Sequence, residues 1–460
     1  MNFKDFDDLI HSGIEEIVLK SDIALDLNEE SKYSEGIGLD VDNLIIDGAG
    51  CSIDAKNKAM IFNDVGNNII LKNIYFKNSF SEDALISNEK GHLTITDCTF
   101  LNTASSESSA LFNESVIKIK NCIFKGFHTD EGGTIFNVSE MDIENSYFEG
   151  NVAPFGGAIY NDGDLNLFEC TFKNNEGGNG GAINNTENLT LKKCSFIENI
   201  AVKDKDDDWS IKNFGGAICN FEYMKVEECH FKDNISDYGG AIFNEEDSNS
   251  IIANSHFESN NENAIYNLGN LNIRDSCFYL NKGYCGGAIR TEGDLNLVKC
   301  KFKDNSATGG GAISNSNTLS LKDCILKDND AINKGGAIYN DRGAYLIVEN
   351  SNFSNNSFSG VSAKGGAIWS KGGLNIIDCD FVANGYDCKY CDGGAIWYST
   401  PQFNEKNCNF KDNKPDDISS FNSAYYNNII EEYFRHRKTN SLNDFDEGFS
   451  RFDYSYQFKK

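Results

Sequence analysis

One phenylalanine position recurs every 24 residues through the first half of the chain. It falls at Phe76, Phe100, Phe124, Phe148, Phe172 and Phe196, then continues at intervals of 21 to 35 residues through Phe231, Phe257, Phe278, Phe302, Leu326, Phe353, Phe381 and Phe410. A unit this short cannot bury a core alone, so the repeat restricts the chain to architectures in which one element stacks many times. Around each phenylalanine the apolar residues alternate with polar ones, as in Leu165-Asn-Leu167-Phe-Glu-Cys170-Thr-Phe172. That is the two-residue period of a strand, and helical spacing is missing from the units. Each unit has room for three strands separated by Gly and Asn turns, too little for a βαβ crossover but enough for one turn of a solenoid. The expected fold is all-β: a single right-handed parallel β-helix of about 14–15 coils with an N-terminal helical cap. Coils spaced by roughly 4.8 Å would carry the registered positions over a length on the order of 60 Å.

Three further columns accompany the phenylalanines. Two residues earlier stands a small residue: Cys98, Cys122, Ser146, Cys170, Cys194, Cys229, Ser255, Ser276, Cys300, Cys324, Ser351, Cys379 and Cys408. Cysteine alternating with serine reads as a buried filler, in preference to disulfides or metal between neighbouring rungs. Three residues after the phenylalanine column, from Asn151 to Asn413, stands an asparagine. Asparagine tolerates positive φ, so this column is expected to occupy left-handed turns, its amides bonding to the coils above and below. The motif Gly-Gly-Ala-Ile begins at Gly156, Gly180, Gly215, Gly239, Gly286, Gly310, Gly335, Gly365 and Gly393, with Gly-Gly-Thr-Ile at Gly132. Paired glycines predict a second corner with unusual dihedrals or close backbone packing.

The ends need caps, because an open solenoid exposes strand edges. Phe3, Phe6, Leu9 and Ile10 recur at helical spacing and predict a short amphipathic helix over the first coil. The expected domains are a cap over residues 1–40, the β-helix over 41–413, and a C-terminal cap and tail over 414–460. That last segment carries Tyr425, Tyr426, Tyr433, Phe434, Phe445, Phe449, Phe452 and Tyr454.

Charge narrows the function. The chain has 41 basic and 70 acidic residues, a formal net charge of -29, which repels nucleic acid and anionic lipid headgroups. No run of 18 apolar residues occurs, so no transmembrane segment is expected. Residues 1–30 carry no basic region followed by an apolar core, so no leader is expected and a cytoplasmic address stays open.

The paired Gly-Gly-Ala-Ile and Phe-x-x-Asn motifs over residues 130–413 resemble the repeats of chlamydial polymorphic outer-membrane proteins. With the stretch Ile46-Asp47-Gly48-Ala49-Gly50-Cys51-Ser52-Ile53-Asp54, the pattern is also similar to the adhesin-like β-helix proteins of methanogenic archaea. The resemblance implies a pectin-lyase-like β-helix that acts as a cell-surface adhesin or interaction stalk toward glycans or protein partners. It carries over no catalytic residues. The chain is expected to depart from that pattern in lacking a leader, a translocating β-barrel and an anchor.

A polysaccharide lyase or glycoside hydrolase of the same fold is the rival reading, with a groove near residues 201–214 or 382–393. Polygalacturonase-like sites resemble a Gly-His-Gly and Arg-x-Lys pattern; here only Gly91-His92-Leu93 comes near, and Arg-x-Lys does not occur. Lyases need positive charge to stabilise substrate carboxylates, yet the coils hold only Arg274, Arg290 and Arg342. Paired outward carboxylates are uninformative, because stacking generates them automatically. No catalytic residue, cofactor or metal site is therefore assigned, and the ligand-binding residues are left open. The acidic insertion Asp204-Lys205-Asp206-Asp207-Asp208-Trp209 is read as a solvated loop rather than a Ca²⁺ site, since its spacing matches no EF-hand. His230 and His256 share one outward position on successive coils, but two ligands are too few for a metal. Cys388-Lys-Tyr-Cys391 is a lone C-x-x-C, weak evidence for zinc or for a disulfide.

The inward assignment is testable. Phe172→Asp places an unpaired charge inside the coil and is expected to cost several kcal/mol, whereas Lys173→Asp on the outer side leaves thermal unfolding nearly unchanged. Equal shifts in denaturant midpoint for the two variants would refute it.

Overall fold

The computed structural model describes residues 1–78, 84–101, 109–130, 132–201, 213–386 and 390–420. The chain winds through three parallel sheets, each sixteen strands deep, so that every turn contributes one strand to each. The leucine sheet runs from Glu16–Val18 to Phe403–Lys406, the phenylalanine sheet from Ile23–Ala24 to Asn409–Lys411, and the isoleucine sheet from Ile37–Gly38 to Ile418–Ser420. Short strands add a partial fourth side, first at Val152–Phe155, Glu176–Asn179 and Ile200–Ala201, then at Lys282–Cys285, Ser306–Gly309, Asp330–Lys334 and Ser357–Phe358. The parallel β-helix expected from the repeat is what forms.

Winding starts before residue 41. Ile17 already pairs in register with Ile46, Ile23 with Ile53, and Ile37 with Phe62. These early rungs lack the Gly-Gly signature, so alternation was their only mark in the sequence. The aromatic segment from Tyr425 onward lies outside the described residues.

The core is a set of columns one rung apart. From Phe100 to Phe302 successive rings stack with centroids 4.6–4.9 Å apart and planes within 7° of parallel. Leu326 interrupts the stack, and Phe353, Phe381 and Phe410 resume it. Each fully buried phenylalanine contributes roughly 1.5–3 kcal/mol by area alone. The cysteines of the neighbouring column are free and, except for half-buried Cys408 on the last rungs, buried, as a filler requires. Their thiols donate to backbone carbonyls, as Cys170 does to Ile143 O and Phe168 O at 3.4 Å each. Burial pushes the Cys379 thiol up to about 12, so it stays protonated and unreactive.

The asparagine column bonds rung to rung, but it does not occupy the left-handed turns. Positive φ falls on the residue before it, at Asn174, Glu198, Asp233 and Asp304 among others. Those side chains point outward, which frees the asparagine amide to turn into the core. There Asn175 Nδ2 donates to Asn199 Oδ1 at 3.0 Å and to Phe148 O at 3.1 Å, and its backbone N–H reaches the same Oδ1 at 3.1 Å. The pattern repeats without a break from Asn151 to Asn413. A second buried ladder, Asn88, Asn113, Asn137, Asn161, Asn185, Asn220, Asn244 and Asn267, follows the isoleucine sheet. Its sequence signal, asparagine two residues after the Gly-Gly-Ala-Ile isoleucine, is less regular than the first, since that position is Thr291, Ser370 and Tyr398 in later repeats.

The predicted cap is the helix Phe3–Ile10, with Phe3, Phe6 and Ile10 buried against the first coil and Asn2 accepting from the Asp5 N–H. His11 follows it. Its Nε2 lies 2.8 Å from Asp40 Oδ1 and its Nδ1 2.9 Å from Asp7 O, tying the helix end to the chain beyond the first rung. The Asp40 carboxylate and the Asp7 carbonyl raise the His11 pKa above its ordinary value. With the folded pKa above the unfolded one, the clamp's stabilisation is complete below about pH 6.5 and is lost as pH rises through the raised value. Hydrogen exchange at Phe3–Ile10, corrected for intrinsic rate, is expected to show less protection at pH 8.5 than at pH 6, and His11→Gln to remove that difference. Protection that increases with pH would contradict the clamp.

Candidate functional site

Two places on the outer surface gather chemistry-bearing side chains. The first is the corner where the fourth side turns into the isoleucine sheet through Gly-Gly. The first glycine takes the left-handed conformation, φ +69° at Gly239. The second has no space for a side chain: a Cβ on Gly240 would sit 2.1 Å from Asn261 O. The turn folds the residue before the pair onto the outward face of the isoleucine sheet. Phe214 thus lies 4.4 Å from Phe243, and Tyr238 5.5 Å from Tyr266. Lys334 sits 4.8 Å over the Trp369 ring and Lys364 5.0 Å over Trp397.

Along this face aromatic residues stack between rungs, as in Tyr339, Trp369 and Trp397 at 4.6 and 5.3 Å. Trp369 is only 2% exposed and Trp397 5%, so this column is packed rather than open to a ligand. At mid-length the corner turns polar. Tyr266 Oη donates to Glu292 Oε1 at 2.7 Å, Arg290 binds the same oxygen, and the guanidinium lies 4.7 Å over the Tyr266 ring. Burial and the bond to Glu292 push the Tyr266 phenol well above its ordinary range, and burial with Asp341 does the same to Tyr339. Neither phenol can serve as a base near neutral pH. The cluster went unread in the sequence because Tyr266, Arg290 and Glu292 sit on adjacent turns and share no local motif.

The second place is the outer face of the phenylalanine sheet. Parallel pairing sets His230 beside His256 and Lys232 beside Glu258, with the imidazole centroids 5.3 Å apart. Glu258 Oε2 lies 3.6 Å from His230 Nε2 and 3.9 Å from His256 Nε2, while its Oε1 is held by Lys232 at 3.2 Å. His230 Nε2 is shielded from solvent and makes no hydrogen bond. Burial and the adjacent His230 lower the His256 pKa, so this imidazole is neutral at pH 7. The sequence paired the two histidines correctly. It left out Glu258, which shares the outward face two residues after His256, because only the structure shows how near its carboxylate comes to both imidazoles.

The remaining candidates do not converge. His92 opens the strand His92–Thr96 as an exposed side chain on the leucine sheet. Arg274 pairs with Asp275 at 3.3 Å. Cys391 is disulfide-bonded, and Cys388 lies outside the described residues. The acidic insertion at 204–208 also lies outside them, as does most of the expected groove at 201–214. Within the groove at 382–393, Tyr386 is exposed and packs 5.7 Å from Phe358. Among the described residues, no helix is long and apolar enough to cross a membrane.

One family comparison agrees with the architecture. The family described as the right-handed β-helix region matches residues 83–234. No curated protein matches the chain. Among solved structures, one that is similar is a mannuronic acid specific polysaccharide family 6 lyase enzyme from human gut microbiota, at 12% identity and a TM-score of 0.24. The match covers 95% of this chain and 94% of that one.

The closed state of the polar corner has a spectroscopic consequence. The phenol lost in Tyr266→Phe, taken as the difference between wild-type and variant ultraviolet titrations, is expected to ionise above the ordinary tyrosine value of about 10. A component ionising at or below that value would show the phenol to be accessible and activated.

Proposed function

We propose that the chain is a non-enzymatic, adhesin-like interaction protein that presents the lateral face of its β-helix to glycans or protein partners at a cell surface. The observation that carries this reading is the placement of exposed apolar side chains. Phe155, Ile235, Tyr284, Ile332 and Tyr386 all lie on the fourth side, between the asparagine ladder and the Gly-Gly corner, and Tyr284 is 68% and Ile332 50% exposed. The other outer faces carry interleaved charges, such as Lys120 with Glu144 and Lys125 with Glu149, with single exposed apolar residues among them at Tyr75, Ile123, Ile251, Ile325 and Tyr345. Apolar side chains exposed on one side of the solenoid, the most exposed of them at Tyr284 and Ile332, are the kind of feature that binds a partner. The excess of acid favours neutral glycans or basic protein surfaces over polyuronates.

The lyase or hydrolase reading has less support. In the outer corner Glu292 neutralises Arg290 and accepts from the Tyr266 hydroxyl, which leaves no activated base in that cluster to abstract a proton.

A panel of neutral and acidic polysaccharides separates the two. Saturable binding without depolymerisation is expected, weakened about tenfold or more by Tyr284→Ser combined with Ile332→Ser, with circular dichroism unchanged. Turnover abolished by a single groove Asp→Asn change would overturn the proposal, and binding indifferent to the double variant would move the surface elsewhere.

A further inference from the structure

We propose that His230, His256 and Glu258 form a zinc site on the outer face of the phenylalanine sheet. Two imidazoles and a carboxylate are a donor set suited to Zn²⁺. The three ligand atoms lie within 4.8 Å of one another, and two of the separations, 3.6 and 3.9 Å, involve Glu258 Oε2. A tetrahedral ion with bonds of about 2.0–2.1 Å needs its ligands about 3.3 Å apart. Side-chain adjustments of a few tenths of an ångström to about 1.5 Å close that difference, with no movement of the backbone.

The scaffold supplies the preorganisation. The histidines stand on neighbouring strands whose pairing, Phe231 with Phe257, is locked by stacked inward rings 4.7 Å apart. Lys232 occupies Glu258 Oε1 and so orients Oε2 toward the imidazoles. An independent observation points to a missing partner: His230 Nε2 is solvent-shielded and unbonded, an arrangement that costs stability unless something binds there. A metal ion between the two rings satisfies that nitrogen and the His256 nitrogen together. Three protein ligands leave the fourth position to water. Cys277 follows His256 on the next rung of the same column, so thiol-based zinc binding is the competing source of any signal.

Titrating the full-length chain with Zn²⁺ by calorimetry tests the site, with Co²⁺ as a spectroscopic substitute. The wild type is expected to bind zinc saturably, and Co²⁺ to give the ligand-field absorption of a four-coordinate nitrogen and oxygen site. His256→Ala and Glu258→Gln should each weaken binding by at least about tenfold, the loss that even outer-shell changes produce. His92→Ala, which removes an exposed imidazole from another sheet, should leave it unchanged. The altered side chains face outward, so metal-free unfolding should match the wild type in every variant. Zinc binding that survives both ligand substitutions, or that is lost on Cys277→Ser with sulfur-to-cobalt charge transfer in the wild type, would overturn the assignment.

Discussion

From Asn88 to Asn413 each rung of this solenoid is held to the next by a buried asparagine amide. Burying an amide without partners costs several kcal/mol, so a column of them is tolerable only if each finds both donors and acceptors. The ladder from Asn151 to Asn413 achieves this by geometry: after Asn151 each Oδ1 accepts from the Nδ2 and the backbone N–H of the rung before, and each Nδ2 also reaches a carbonyl of the phenylalanine column, that of Leu326 in the case of Asn356. A slip of one residue would turn the amides out and orphan the groups they serve. Register is therefore specified more sharply than hydrophobic burial alone could specify it, since an apolar column tolerates small displacements and a hydrogen-bond chain does not.

Register in turn decides the surface. Once Phe231 stands over Phe257, the residues flanking them have no choice of neighbour, and His230 meets His256 while Lys232 meets Glu258. The same logic sets Tyr266 against Arg290 one turn later. Outer clusters are thus by-products of inner alignment, and insertions matter only where they leave the rungs. The 35-residue interval between Phe196 and Phe231 leaves the pairing of Ser195–Ile197 with His230–Lys232 in step.

Much of this was legible because the repeat writes one environment many times. The inward phenylalanines, the small column beside them, the glycine corner and the capping helix could each be placed from spacing and residue type. The asparagines were placed on the right corner but given the wrong dihedral. Asn174 and Glu198 carry the positive φ, and a residue as unsuited to it as glutamate is accepted there because the ladder beside it holds the turn. The early rungs at Glu16–Val18 and Ile23–Ala24 fall inside the segment 1–40 expected as a cap, because two or three residues of alternation without a motif do not mark a full turn.

What the amino-acid sequence determined by itself was the period, the strand pattern and the side of the strand that each repeated residue occupies, since those follow from alternation and local backbone preference. What tertiary structure decided was which outward side chains touch across columns and around corners. Tyr266 and Glu292 are 26 residues apart in the chain and 2.7 Å apart in space. Glu258 completes the histidine pair from a different column. Contacts of this kind depend on how successive turns are aligned, and alignment is a collective property of the buried ladders that no single stretch of chain encodes.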